Sequence, residues 1–209
     1  MNELKHISYG FEVEPKLTTR PLYKQVHGNA MVHVTTANLA SLHNLPPEAD
    51  GAFTFQSQLK LSVFTADCLP LLFYTDEPNG PIATVHCGWR GALHSIAKSI
   101  KDIYEKYQGQ INAILGPCLR PCCFEVRSDL VSQFEQYGHN IKSYLEMRNG
   151  AFFFNLSEFV IREQLSFMSP ERINTSDLRC TYCSQPELPS YRRNKTTDPR
   201  IRGWIIKRN

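Results

Sequence analysis

The sequence predicts a mixed α/β (α+β) fold built around a sheet core. Three observations carry this reading. Short runs rich in β-branched and aromatic residues recur along the chain, a long segment repeats its apolar residues every three or four positions, and turn-forming residues separate the two patterns. At 209 residues the chain is long enough for a sizeable core. No internal repeat or low-complexity linker divides it, so a single domain spanning residues 1–209 is expected.

GAFTF (51–55), LKLSVF (59–64), LPLLFY (69–74) and IATVH (82–86) read as strands. From Arg90 to Gln108 the residues Leu93, Ile96, Ile100, Ile103, Tyr104 and Tyr107 make one apolar stripe of a helix that Gly109 closes. INAILG (111–116) is another buried strand, and its Gly-Pro end forces the chain into the loop GPCLRPCC. Ser128 is suited to cap a helix running to about Tyr137. Phe152–Phe154 predict a strand. Leu156–Met168 predict a helix with Leu156, Phe159, Val160 and Leu165 inward, and short strands follow near Leu178–Tyr182 and Trp204–Ile206.

The composition, 42% hydrophobic and 21% charged, is that of an ordinary soluble globular chain. A net charge of +3 from 23 basic and 20 acidic residues argues against nucleic-acid or membrane partners. The basic end, with Arg192, Arg193, Lys195, Arg200, Arg202, Lys207 and Arg208 against Asp198, reads first as a solvated tail and second as a local patch. No run approaches the roughly 18 apolar residues of a membrane helix, and MNELKHISYG lacks the core of a signal peptide, so a cytoplasmic protein is expected. Seven cysteines, an odd number in a chain of this length, favour reduced thiols over disulfides.

Two stretches stand out chemically. In TADCLP (65–70), Asp67 is an unusual resident of an apolar region, and Cys68 suits a metal ligand, a thiolate nucleophile or a small buried thiol. VHCGWRG (85–91) ends a strand and opens a helix between Gly88 and Gly91. His86 there is either an interior hydrogen-bonded histidine or a ligand, and Arg90 offers a fork for carboxylate or phosphate. His27, in KQVHG, completes a set of two histidines and one cysteine, the count that leaves a catalytic zinc one open position. Separations of 41 and 18 residues are no local zinc signature, so spacing alone does not establish the set.

QVHG (25–28), ADG (49–51), TADCLPLLF (65–73), VHCGWRG (85–91), ILGPCLRPCCFEV (114–126) and SYRR (190–193) follow one another in an order that resembles the YfiH or laccase-domain family, also labelled multicopper polyphenol oxidases. The resemblance covers about residues 22–206. It implies a layered α/β/β/α arrangement with mixed sheets, and one zinc held by His27, Cys68 and His86. It also implies phosphorolysis of adenosine, inosine, guanosine or methylthioadenosine, with deamination of adenosine; some members are described instead as editing peptidoglycan precursors. The expected partners are therefore a purine nucleoside and phosphate. The family's longer N-terminal region is not recognisable before QVHG, so a shortened region before residue 24 is expected; Asn194 and TDPR (197–200) stand where the family has Asp and TGR.

Deamination needs a water made nucleophilic near neutral pH, which a zinc with an open position supplies. Phosphorolysis needs an anion held against a ribosyl carbon, for which the helix start after VHCGWRG and Arg90 are suited. The candidate catalytic residues are Cys68, His86, Asp67 and Arg90, with Asp67 orienting a ligating histidine or exchanging protons. The candidate substrate-binding residues are Gly88, Gly91, Cys123, Arg192 and Arg193.

A cysteine hydrolase, with Cys68 attacking and His86 as base, is the enzymatic alternative; a nonenzymatic zinc-containing binding module is the other. Copper ranks behind zinc. Two histidines and a cysteine also suit blue copper, but seven histidines at 6, 27, 33, 43, 86, 94 and 139, with no H-x-H pair, are too few and too scattered for a multicopper cluster. Cys180 and Cys183, with Cys118 and Cys122 or Cys123, can form a structural zinc site, but separate reduced thiols are the favoured reading. Cys87 reads as a tolerated small residue, and Cys118 as loop packing or a pocket border.

Overall fold

The computed structural model describes every residue except 1, 5, 17–20, 106, 108, 197 and 209, and only the backbone of residues 2–4. In its first half the chain forms β1 (Asn2–Leu4), β2 (Ile7–Glu14), β3 (Met31–His33), α1 (Leu39–Asn44), β4 (Gly51–Thr54), β5 (Lys60–Thr65), β6 (Leu69–Thr75), β7 (Ile82–Cys87), α2 (Trp89–Leu93) and α3 (Ser99–Glu105). Then come β8 (Ile111–Leu115), β9 (Glu125–Val126), α4 (Ser128–Gln136), β10 (Leu145–Arg148), β11 (Ala151–Phe154), α5 (Leu156–Phe159), β12 (Ile173–Asn174), α6 (Tyr191–Asn194) and β13 (Arg200–Lys207).

A six-stranded mixed sheet, in the order β12-β8-β6-β7-β4-β3, forms the centre. Its middle strands are buried on both faces, which is why their sequences are nearly continuous apolar runs. Strand alternation sends Leu71, Phe73 and Val85 to one face, where they meet Leu93, Ile96, Ile100, Tyr104, Phe134 and Phe159 from the helices. Leu72, Ile82 and Ile114 point to the other face and pack on Ile7, Tyr9, Leu61, Val63 and Ile205 of a second, antiparallel sheet ordered β1-β2-β13-β5. Helices thus lie on one sheet, and that sheet lies on the other, in the mixed α/β layering that was expected.

Several elements differ from the sequence reading. The helix expected over 90–108 is two helices, because Ser95 adopts a left-handed conformation (φ 58°). Buried Gln164 satisfies the groups freed by that break: its Nε2 donates to the Ala92 carbonyl at 2.6 Å and its Oε1 accepts from the Ala97 N–H at 3.1 Å. Leu93, Ile96, Ile100, Ile103 and Tyr104 keep the expected apolar stripe, whereas Tyr107 lies past the end of α3 at Glu105 and outside this core; the predicted end at Gln108 lies outside the described residues. Arg127, not Ser128, precedes the first turn of α4. The helix expected over Leu156–Met168 continues past α5 only as a wider turn through Gln164. Leu178–Tyr182 is no strand; one parallel bridge, Cys118 to Cys180, is its only ladder contact among the described residues.

The basic end is not a solvated tail either. β13 is an inner strand of the second sheet, where Arg202 pairs with Glu12 and buried Lys207 donates to the carbonyls of Phe55 and Gly80, each at 2.7 Å. No helix among the described residues is long and apolar enough to cross a membrane.

Candidate metal centre and substrate pocket

Antiparallel pairing places Leu69 opposite Cys87 and Pro70 opposite His86, so the start of β6 lies beside the end of β7 and Cys68 falls next to Gly88. Gly51 pairs with Val85, which carries Asp50 to His86; the His86 N–H donates to the Asp50 carbonyl at 2.7 Å. The Asp50 carboxylate, fully buried, accepts the backbone N–H groups of Val26 (3.1 Å), His27 (2.9 Å) and Gly28 (2.6 Å). That wrap, with His27 in the left-handed region (φ 64°), sets the first histidine over the second. The rings of His27 and His86 meet edge-on at 4.7 Å, and the potential ligand atoms of His27, Cys68 and His86 all lie within 4.8 Å of one another.

His86 Nδ1 donates to Asp50 Oδ1 at 2.7 Å, which assigns the proton to Nδ1 and leaves Nε2 for Cys68 or a metal. Burial disfavours the Cys68 thiolate, but the charge of His86 and hydrogen bonds from both imidazoles outweigh it, holding the thiol down to about 6 from 9.0. Burial likewise disfavours a charged His86, and the Cys68 thiolate and Asp50 overcome this, lifting it to about 9. For Asp50, too, burial is outweighed by the hydrogen bonds from His86, Gly28 and His27, which hold it below its ordinary 3.8. The donor set therefore fits a divalent ion: a deprotonated sulfur, and an imidazole whose proton an ion would replace.

Gly88 is required by close packing. A Cβ there would meet Cys68 Sγ at 2.8 Å and His27 Cδ2 at 3.1 Å. Gly88→Ala should displace both side chains and weaken metal binding at least tenfold while thermal unfolding of the metal-free protein changes little; competitive chelator titration measures the first and calorimetry the second.

The centre opens into a cavity of about 460 Å³. Phe64, Trp89, Phe124 and Tyr191 supply aromatic walls, and Arg90, Arg192, Lys195 and Arg200 supply positive charge. Arg90 lies over the Trp89 ring, 4.6 Å from its centroid. The α2 helix has only five residues, so its dipole is small and the arginines and lysine are the stronger anion-binding groups.

Asp67 is left-handed (φ 92°) and lines the cavity, but it orients neither histidine. Asp50 holds that position, while Asp67 accepts from Thr181 Oγ1 and the Arg192 N–H, each at 2.6 Å. Arg192 lies in the cavity wall and donates to the Cys123 carbonyl at 3.3 Å. Arg193 turns away to the carbonyls of Leu188, Thr181 and Tyr182 and to Glu187, so its guanidinium anchors the loop rather than facing a ligand. Gly91 packs against Ile96 and the Gly28 carbonyl, outside the cavity lining. Cys87 is buried in the core.

Cys123 turns elsewhere as well. Its sulfur joins those of Cys122, Cys180 and Cys183 within 4.8 Å of one another, so these thiols are not separate, and Cys118 is not among them. Sequence reasoning missed Asp50 as the support of His86, although the ADG motif contains it at the entry to an apolar strand. Lys195 and Arg200 were read as tail charges.

A family model described as multi-copper polyphenol oxidoreductase laccase matches residues 10–208. A purine nucleoside phosphorylase of Aquifex aeolicus is 35% identical over 162 residues, covering 77% of this chain and 72% of the relative. The Escherichia coli purine nucleoside phosphorylase YfiH is 29% identical over 182 residues, 87% of this chain and 72% of the relative. In fold, the chain is similar to the Bacillus licheniformis hypothetical protein YfiH (TM-score 0.78, 23% identity, 90% of this chain and 74% of that one). It is similar also to YlmD of Geobacillus stearothermophilus (TM-score 0.75, 25% identity, 90% and 75%).

Proposed function

The chain belongs to the multi-copper polyphenol oxidoreductase laccase family, whose members include YfiH, and from that premise we propose that it is a zinc-dependent purine nucleoside phosphorylase. One observation carries the reading: His27, Cys68 and His86 converge in the lining of a cavity that also carries four aromatic and four basic side chains. The zinc-holding residues are those three. A bound zinc supplies a Lewis acid with an open position, which also suits a secondary deamination of adenosine.

Within this reading the chain's own groups divide the work. Trp89, Phe64, Phe124 and Tyr191 stack against the purine, and Arg90, Arg192, Lys195 and Arg200 hold inorganic phosphate beside the ribose. A phosphate oxygen bonds to C1′ as the bond from C1′ to the base nitrogen breaks; the electron pair leaves on the base, which gains a proton. Asp67 is a positioning residue, fixing the turn that presents Arg192. Zinc-loaded protein should release free base and ribose 1-phosphate from inosine, guanosine, adenosine or methylthioadenosine only when phosphate is present. Absence of base release across this panel would contradict the reading.

A second reading has its own support. Cys68, His86 and Asp50 stand in the order nucleophile, base and orienting acid, with the thiol held down to about 6. Iodoacetamide separates the two. Saturating zinc should block alkylation of Cys68 in a metalloenzyme, whereas a cysteine hydrolase should be alkylated and inactivated at the same rate with zinc as without.

A further inference from the structure

We propose that Cys122, Cys123, Cys180 and Cys183 bind a second zinc ion as a closed, structural tetrathiolate site. Their four sulfurs lie within 4.8 Å of one another, and those of Cys122 and Cys183 are 3.5 Å apart. Zinc–sulfur bonds of about 2.3 Å in a tetrahedron put neighbouring sulfurs about 3.8 Å apart, so one small ion satisfies all four with minor adjustment. Core packing does not explain the cluster, because Cys122 and Cys183 are exposed.

The backbone is arranged as a metal-binding turn requires. Cys180 and Cys183 form a C-x-x-C turn closed by the Ser184 N–H on the Cys180 carbonyl at 3.1 Å. The partner pair is delivered by the parallel bridge at Cys118, whose N–H donates to the Arg179 carbonyl (3.1 Å) and whose carbonyl accepts from the Thr181 N–H (3.0 Å).

Four protein ligands leave no open position, in contrast to the three of the first centre. The second ion therefore acts on structure. It ties together the two loops that carry Thr181, the partner of Asp67, and the Cys123 carbonyl that receives Arg192. Its loss should loosen the phosphate-binding wall without touching His27, Cys68 or His86.

Zinc-loaded, desalted protein should carry about two zinc ions per chain by plasma mass spectrometry, and Cys68→Ser and Cys122→Ser/Cys183→Ser should each carry about one. In the wild-type protein, which avoids any folding defect of the variants, zinc should slow iodoacetamide labelling of all four thiols at least tenfold relative to chelator-stripped protein, read by peptide mass spectrometry. Unchanged zinc content in Cys122→Ser/Cys183→Ser would overturn the site. So would equal labelling rates with and without zinc, or a disulfide between Cys122 and Cys183 in protein saturated with zinc. Loss of zinc in Cys68→Ser reads the first centre alone, so failure of one site is distinguishable from failure of the other.

Discussion

Cys68→Ser is expected to lower kcat/KM for phosphorolysis of inosine by about 10³-fold or more, equivalent to about 4 kcal/mol of transition-state stabilisation. The substitution nearly conserves volume, so it leaves the seam between β5 and β6 in place. Chemically it is drastic, since a serine hydroxyl stays protonated where the Cys68 thiol, held down to about 6, is already a thiolate. Two imidazoles alone then remain at the centre, and zinc binding falls with turnover. Steady-state kinetics with saturating phosphate, alongside metal analysis, measure both. Full activity in Cys68→Ser would remove the sulfur from the reaction and with it the proposed chemistry.

Asp50→Asn is expected to weaken zinc binding by about 10- to 100-fold and to cost about 3–5 kcal/mol of folding stability. Its carboxylate is fully buried and accepts from three consecutive backbone N–H groups and from His86 Nδ1. An asparagine amide must turn its NH2 toward at least one of those donors, leaving a buried group unpaired. The effect reaches both histidines, because the same carboxylate shapes the backbone of His27 and fixes the proton on His86. Asp50 is held below its ordinary 3.8, so its contribution is fully present above that value and is lost as pH falls through the lowered one. Urea unfolding of the metal-free variant at neutral pH therefore reads the whole difference, and competitive chelation reads the affinity.

How far the sequence disclosed all this depended on whether the cause of each feature was local. β6, β7 and β8 were legible because strands buried on both faces must be apolar throughout. The stripe from Leu93 to Tyr104 was equally plain. Its break at Ser95 was not, because the side chain that satisfies the broken ends is Gln164, 67 residues beyond Ala97. β2 and β13 escaped recognition or full extent because ISYGFEVE and RIRGWIIK mix charges into an alternating pattern, and their pairing over the length of the chain supplies what local propensity does not.

The candidate centre shows the same division. His27, Cys68 and His86 entered as a set through resemblance, since only the antiparallel register of β6 with β7 and the wrap around Asp50 bring them together. Asp50 was hidden by its setting before a glycine, where an acid usually marks a turn. The four clustered cysteines were half read: the C-x-x-C was visible, but the bridge at Cys118 delivers Cys122 and Cys123 to it while Cys118 itself stays in the core.

The most direct test is an anomalous difference map at the zinc absorption edge from crystals of the zinc-loaded protein. The account predicts a peak within bonding distance of Cys68 Sγ, His86 Nε2 and a ring nitrogen of His27, facing the cavity lined by Arg90 and Arg192. Zinc-loaded crystals with no peak at those three atoms would contradict it.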